Sequence, residues 1–314
     1  MKLVFLDRKS IGDDLDLSMF SALGEIELYD FSSPEEVPMR VSDADAIIVN
    51  KVPVNEETIG KAKKLKLVCV TATGTNNLDK AYLDKRGIAW RNVAGYSTES
   101  VAQHTFALLF YLWEHLPYYD KYVKSGKYEG DRLFTHFGIA FHELSGMRWG
   151  IVGLGAIGRR VAELAECFCC KVMYYSTSGR NHDSHFKEVS LDELLRESDI
   201  VSVHAPLGER TFHLFDRDSF QKMKRSAIFL NVGRGDIVDE AALRDALNEG
   251  EISAAGLDVL SVEPMSAENP LKDVKEKDRL FITPHIAWAS LEARERLMRT
   301  IYRQIYEFFT TDGA

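Results

Sequence analysis

The chain of 314 residues is 45% hydrophobic and 28% charged, the balance of a globular protein with room for about two domains. Its 48 acidic residues outnumber 39 basic ones, giving a formal charge of −9 with no basic run, which argues against nucleic acid or an anionic membrane as the main partner. No apolar stretch approaches the roughly 20 residues that span a bilayer, and four cysteines are too few for a disulfide scaffold and fit a reducing cytoplasm.

The N-terminal MKLVFLDRKS reads as a strand and not as a signal peptide. Strands are expected at Lys2–Asp7, Glu25–Asp30, Ala46–Lys51, Leu65–Val70 and Ile88–Val93, with amphipathic or turn-rich segments between them. Such alternation predicts βαβ units and a parallel sheet. Sheets of this kind bind ligands outside the carboxyl ends of their strands, which directs attention to the loops after Val49 and Val70. The second loop, Thr71-Ala72-Thr73-Gly74-Thr75-Asn76-Asn77, is small and polar, with N–H groups suited to face an anion. Lys51 lies at a strand end on the same side, where a substrate contact and a solvated lysine are equally expected.

Ser97 to Leu116 reads as one long helix, with Ser97 and Thr98 as caps and Val101, Ala102, Thr105, Leu108, Leu109 and Leu112 at helical spacing. Eleven aromatic residues fall between Phe106 and Phe141, in a stretch expected to be irregular and to serve as a partner-binding arm, since aromatics are enriched in interface cores. From Met147 a second strand–helix series begins. Its expected strands are Arg148–Val152, Lys171–Tyr175, Ile200–His204, Ala227–Val232, Ala254–Val259 and Leu280–Thr283, and its expected helices include Ala156–Cys167, Leu191–Arg196 and Glu240–Glu249. A final amphipathic helix is expected at Leu291–Phe309. The crossings between the halves fall near Gly95 and Pro284–Ser290. The predicted fold is therefore α/β: two doubly wound parallel-sheet domains, with residues 97–286 inserted into a domain formed by 1–96 plus 287–314.

Gly153-Leu154-Gly155-Ala156-Ile157-Gly158 is a GxGxxG that follows an apolar strand and opens a helix, the context that gives the motif meaning. Gly153 permits the turn, Gly155 lets backbone amides approach a pyrophosphate, and Gly158 allows close helix–strand packing. The helix N-terminus adds free N–H groups and partial positive charge. The acid expected about 20 residues on, against the adenine ribose, is missing from Tyr174-Tyr175-Ser176-Thr177-Ser178-Gly179-Arg180. A carboxylate there would repel a 2′-phosphate. Its absence, with Ser176, Thr177 and Arg180 placed to contact such a group, predicts that NADP(H) is tolerated beside NAD(H).

Three further motifs fall at the ends of the later strands: Asn231-Val232-Gly233-Arg234-Gly235, Gly256-Leu257-Asp258-Val259-Leu260-Ser261-Val262-Glu263-Pro264, and Thr283-Pro284-His285-Ile286-Ala287-Trp288. An arginine, a carboxylate and a histidine at consecutive strand ends can converge on one pocket. A guanidinium forks onto paired oxygens such as those of a carboxylate. An imidazole, with an ordinary pKa of about 6.5, can exchange the carbonyl proton, and a nearby carboxylate favours its protonated form.

With the glycine motif, these segments resemble the D-isomer-specific 2-hydroxyacid dehydrogenase family over nearly the whole chain. The resemblance implies a flavodoxin-like substrate domain and a Rossmann cofactor domain. It implies Arg234, Glu263 and His285 as catalytic residues, and Glu263 argues against formate as substrate, because formate dehydrogenases of the family carry Gln there. It implies cofactor contacts from Gly153, Gly155, Ala156, Ile157, Gly158, Ser176, Thr177, His204, Ala205, Pro206, Val232, Gly233, Arg234, Asp258 and His285, with Asp258 near the nicotinamide carboxamide. Substrate contacts are implied for Thr73, Gly74, Thr75, Arg234, His285 and Trp288, the last crowding the pocket toward a small substrate. The segments Thr71–Asn77, Gly95–His104 and His285–Ala289 look most like the glycerate dehydrogenase/hydroxypyruvate reductase subgroup. That implies hydroxypyruvate or glyoxylate as substrate and a homodimer through the cofactor domain. A D-lactate-type or branched or aromatic 2-keto acid reductase is the alternative, and a dinucleotide-sensing, corepressor-like binding protein the remote one. No metal is expected. The CxxC at Cys167–Cys170 lacks a second half and reads as structural, and His182 and His185 read as solvated loop residues.

Overall fold

The structure, a computed structural model, describes residues 1–311. The chain divides into two compact units, one formed by Met1–Ser97 with the chain from Ala289 onward, the other by Thr98–Trp288.

The first unit is built on five strands, β1 (Lys2–Phe5), β2 (Glu25–Leu28), β3 (Ala46–Val49), β4 (Leu67–Val70) and β5 (Ala89–Arg91), in the order β2-β1-β3-β4-β5. All neighbours pair in parallel. The inner strands β3 and β4 are buried at every residue, as expected when both faces of a parallel sheet are covered, whereas the edge strand β2 is half-buried and charged. Short helices α1 (Val37–Arg40), α2 (Glu56–Ile59) and α3 (Lys80–Arg86) lie between strands. α2 starts on a capping box in which the Asn55 side chain accepts from the Thr58 N–H, and α3 on the Asp79 side chain accepting from the Tyr82 N–H. The C-terminal helix Leu291–Thr311 buries Ala293, Leu297, Met298, Ile301 and Ile305, a single stripe at helical spacing, against this unit.

The second unit carries a seven-stranded sheet made of β6 (Arg148–Val152), β7 (Lys171–Tyr175), β8 (Lys187–Glu188), β9 (Ile200–Val203), β10 (Ile228–Asn231), β11 (Ala254–Leu257) and β12 (Leu280–Ile282). The order β12-β11-β10-β9-β6-β7-β8 is parallel throughout and reverses direction between β6 and β9, the topological switch point where such sheets bind dinucleotides. β8 was not expected, because two charged residues on a sheet edge show no apolar period.

The helix expected at Ser97–Leu116 is α4 (Thr98–Trp113), and a further helix, α5 (Leu116–Lys124), stands where an irregular stretch was expected. The break falls where His115 adopts left-handed backbone with φ 52° and Pro117 removes an N–H donor from the helical ladder. α4 buries Val101, Ala102, Thr105, Leu108, Leu109 and Leu112. The unit is completed by α6 (Ala156–Cys167), α7 (Leu191–Glu197), α8 (Arg217–Lys222) and α9 (Glu240–Glu249).

The aromatic stretch also divides. Phe106 packs on Trp149 at 4.9 Å and on Phe168 at 5.5 Å, and Tyr111 stacks on Phe281 at 3.7 Å between ring centroids, so the first part is core of its own unit and not a partner-binding arm. From Leu116 onward the segment is a surface lobe. Its tyrosine hydroxyls tie down carbonyls, Tyr119 to Ile139 at 2.6 Å and Tyr128 to Phe134 at 2.6 Å, while Phe134 is 92% and Phe137 88% exposed.

Candidate active site

β6 delivers the chain into the glycine loop. Gly153 has φ +92°, a conformation that a side chain rarely adopts, and a Cβ there would meet the Ala205 backbone at 2.9 Å. At Gly158 a Cβ would collide with the Gly153 carbonyl, which explains the third glycine as a close approach of helix to strand. At Gly155 a Cβ would enter open space directly before α6, and no side chain caps that helix. Ala156, Ile157 and Gly158 thus present the first N–H groups of a helix toward an open cradle, the environment a pyrophosphate requires.

Across the loop, Ser176 follows β7 with its hydroxyl buried and without a partner among the described residues. Thr177 and Ser178 line a cavity of about 380 Å³ with Pro206, Leu207, Gly208, Glu209, Arg210 and Thr211. After β9 stands His204, half-buried. Trp149 Nε1 donates to Ser202 Oγ at 2.8 Å, and that hydroxyl lies 2.9 Å from His204 Nε2. His204 Nδ1 is buried and has no partner among the described residues. Burial pulls this imidazole down to about 3, so it stays neutral at working pH. An orphaned hydroxyl, an orphaned ring nitrogen and an open cradle converge on one side of the switch point, and a dinucleotide fits them.

The loops after β10, β11 and β12 carry the charged groups. Asn231 braces the first: its Oδ1 accepts from the Gly233 N–H at 3.0 Å and its Nδ2 donates to the Arg234 carbonyl at 2.9 Å. Arg234 is half-buried, with Nη1 donating to the Gly233 carbonyl at 2.8 Å. After β11, Asp258 is 1% exposed. Oδ1 accepts from the Thr283 hydroxyl at 2.6 Å and the Ile286 N–H at 2.9 Å, and Oδ2 from the Ala287 N–H at 2.8 Å. The Asp258 carbonyl accepts from the His285 N–H at 2.8 Å. The carboxylate expected beside the nicotinamide carboxamide is therefore engaged with its own neighbouring loop.

That loop holds His285 in left-handed backbone with φ 55°. Its Nδ1 lies 2.7 Å from Glu263 Oε2, while Glu263 Oε1 accepts from the Leu260 N–H at 3.0 Å. A carboxylate only accepts, so Nδ1 carries the hydrogen and Nε2, which has no partner among the described residues, is the nitrogen able to exchange a proton. Trp288 Nε1 donates to the His285 carbonyl at 2.9 Å and fixes the loop from the other side.

In the first unit, the loop after β4 is pinned by its side chains and carbonyls: Thr73 Oγ1 donates to the Val93 carbonyl at 3.0 Å, and Asn92 Nδ2 donates to the Thr73 carbonyl at 2.6 Å. The N–H groups of Thr73, Gly74 and Thr75 donate to nothing among the described residues. At the end of β1, Asp7 is buried and accepts from the N–H groups of Asn50 at 2.9 Å, Lys51 at 2.7 Å and Val52 at 3.3 Å.

Sequence reasoning named Asn231 and His104 without giving them a role, and passed over Asp7 and Glu240. His104, on α4, lies with Nε2 2.9 Å from Thr283 Oγ1; because the Thr283 proton is directed at Asp258, His104 is the donor. His182 pairs with Glu188 at 2.8 Å and His185 with Glu166 at 2.8 Å on the surface. Among the described residues no cluster of His, Cys, Asp or Glu is arranged to hold a metal ion, and no helix is long and apolar enough to cross a membrane.

A parallel sheet with an open glycine cradle at its switch point and an imidazole–carboxylate pair on the loops after β11 and β12 has the arrangement of the nicotinamide-dependent oxidoreductases. The family model described as D-isomer specific 2-hydroxyacid dehydrogenase, NAD binding domain, matches residues 106–287. A hydroxypyruvate reductase of Blautia hydrogenotrophica is 37% identical over 98% of this chain and 97% of its own length. Among solved structures, an acyclic imino acid reductase in complex with NADPH and D-Arg is 29% identical with a TM-score of 0.85, over 98% of this chain and 97% of that one. A D-lactate dehydrogenase of Aquifex aeolicus complexed with NAD and lactic acid is 28% identical with a TM-score of 0.84, over 99% and 96%.

The chain belongs to the D-isomer-specific 2-hydroxyacid dehydrogenase family. It is an NAD(P)-dependent oxidoreductase acting on the CH–OH group of a hydroxy acid.

Proposed function

We propose that this chain interconverts hydroxypyruvate or glyoxylate with D-glycerate or glycolate, using Arg234, Glu263 and His285. The observation that carries the reading is the 2.7 Å contact between His285 Nδ1 and Glu263 Oε2, which leaves Nε2 as the proton-exchanging atom. When bound, the nicotinamide supplies or accepts the hydride at the carbonyl carbon. In reduction, His285 Nε2 gives its proton to the carbonyl oxygen, and Glu263 stabilises the imidazolium that must be present first. In oxidation the same nitrogen takes the hydroxyl proton. Arg234 anchors the substrate carboxylate and polarises the carbonyl, and in the other unit the free amides of Thr73, Gly74 and Thr75 suit an anionic substrate group. Trp288, held against the His285 carbonyl, limits the width of the pocket.

Residues 98–288 are read as the cofactor-binding unit and the other unit as substrate-binding. Gly153, Gly155, Ala156, Ile157 and Gly158 take the pyrophosphate, and Ser176 and Thr177 the adenine ribose. The segments His204–Pro206 and Val232–Gly233 line the nicotinamide side. No acid follows β7, which supports use of both NADH and NADPH. The alternative reading, a D-lactate-type reductase, draws on the Aquifex aeolicus neighbour and differs by pocket width. Four free thiols fit a reducing cytoplasm. The exposed Phe134 and Phe137 support a homodimer in which the lobe covers a second copy of this chain.

His285→Ala is expected to lose about 10²–10⁴ in turnover of hydroxypyruvate, the usual value of a general acid, while its dissociation constant for NADH stays within threefold. Near-normal turnover would overturn the mechanism. Absence of nicotinamide oxidation by the wild type across hydroxypyruvate, glyoxylate and pyruvate would overturn the enzyme reading in favour of a sensor. Light scattering of Phe134→Ser/Phe137→Ser tests the dimer: a mass unchanged from a dimeric wild type, or a monomeric wild type, ends that assignment.

A further inference from the structure

Glu240 opens α9 and is 8% exposed, an unusual place for a carboxylate. Its oxygens are spent on one loop. Oε1 accepts from the Ser261 N–H at 2.8 Å, and Oε2 accepts from the Ser261 hydroxyl at 2.8 Å and from Asn269 Nδ2 at 2.8 Å. Ser261 and Asn269 bracket Glu263. Between these two anchors residues 262–268 are all exposed, so core packing does not fix the segment that carries Glu263. The start of the same segment lies against Gly235, the residue after Arg234, where a Cβ would collide with Leu260 and Ser261. One buried side chain thus clamps both ends of the Glu263 loop, beside the Arg234 loop.

We propose that Glu240 is a positioning residue for this reaction: by holding Ser261 and Asn269 it places the Glu263 carboxylate against His285 Nδ1. The inference rests on the reading of Glu263 and His285 as the proton-transfer pair. Glu240 touches neither of them, and it acts by keeping an exposed loop in one geometry. A displacement of an ångström at a reacting group costs up to about a hundredfold in rate, and an exposed loop without this clamp has the freedom to move that far.

The test is a double-mutant cycle of Glu240→Gln and Glu263→Gln, with hydroxypyruvate reduction read as kcat, KM and the pH profile of kcat. The dissociation constant for NADH and the melting temperature are read alongside. Glu240→Gln is expected to lower kcat about ten- to a hundredfold, to move the alkaline limb of the reduction profile to lower pH, and to leave NADH affinity unchanged. In the Glu263→Gln background it is expected to cost less than twofold, since its effect runs through Glu263. Asn269→Ala, which removes one of the three bonds, is expected to act in the same direction by less and guards against a Glu240 variant that does not fold. Wild-type kcat and profile in a folded Glu240→Gln would overturn the proposal. So would an equal loss in the Glu263→Gln background, or, if Glu240→Gln is unfolded, an unchanged profile in Asn269→Ala. Full activity of Glu263→Gln alone would instead overturn the reading of the proton-transfer pair.

Discussion

Each unit of this molecule buries an aspartate at the carboxyl end of its parallel sheet, and the two serve different loops. Asp7 follows β1 and gathers the N–H groups of Asn50, Lys51 and Val52. Asp258 follows β11 and gathers the Thr283 hydroxyl and the N–H groups of Ile286 and Ala287. Asp7 orders a loop beside free backbone amides, which suit an anion to be held. Asp258 orders a loop that carries an imidazole, which suits a proton to be moved. Glu263, by contrast, is about a third exposed and faces a titratable ring. In this protein the deeply buried carboxylates shape loops, and the accessible one faces an imidazole.

This difference predicts the order of three outcomes. The largest is Asp258→Asn, which turns a hydrogen-bond donor toward backbone N–H groups inside a buried site. It is expected to cost about 1–3 kcal/mol of stability and more than tenfold in kcat; a folded variant with unchanged kcat would show that the His285 loop holds its shape without this brace. Asp7→Asn is expected to raise KM for the keto acid severalfold with kcat within about threefold, the pattern of lost uniform binding. A fall in kcat matching that of Asp258→Asn would erase the distinction between the two units.

The smallest effect concerns His204. Its ring is held near a pKa of about 3 in the fold against an ordinary value of 6.5, so between those values the unfolded chain binds the extra proton. Its contribution to stability is therefore intact above the ordinary value and is lost as pH falls through the window toward 3. Melting curves should show the wild type losing more stability than His204→Gln between pH 7 and pH 4.5; parallel losses would contradict the assignment.

Much of the scaffold was legible because backbone requirements leave marks on residue choice. β6, β7, α6 and α9 begin and end where the apolar pattern and the glycines place them, and GxGxxG is readable because Gly153 and Gly158 occupy positions a Cβ would not fit. α5 was missed because it buries none of its residues and so shows no apolar stripe. Asn231 holds backbone groups of its own loop, while Asp258 and Glu240 reach partners in loops more than 20 residues further on, backbone N–H groups among them. Such partners have no residue-type signature, so the braces of a site are harder to read than its reacting groups. The sequence motifs singled out His285 and Glu263, which the fold brings within 2.7 Å of each other; Glu240, which holds the Glu263 loop, lies outside those motifs.

The left-handed backbone at His285 has a practical consequence. At φ 55° an L-residue carries a cost of about 1–2 kcal/mol, which asparagine offsets by hydrogen-bonding locally. Its amide can also donate toward Glu263. His285→Asn should therefore be inert yet melt no lower than the wild type, giving a stable dead form in which a keto acid and reduced cofactor can sit together without reacting.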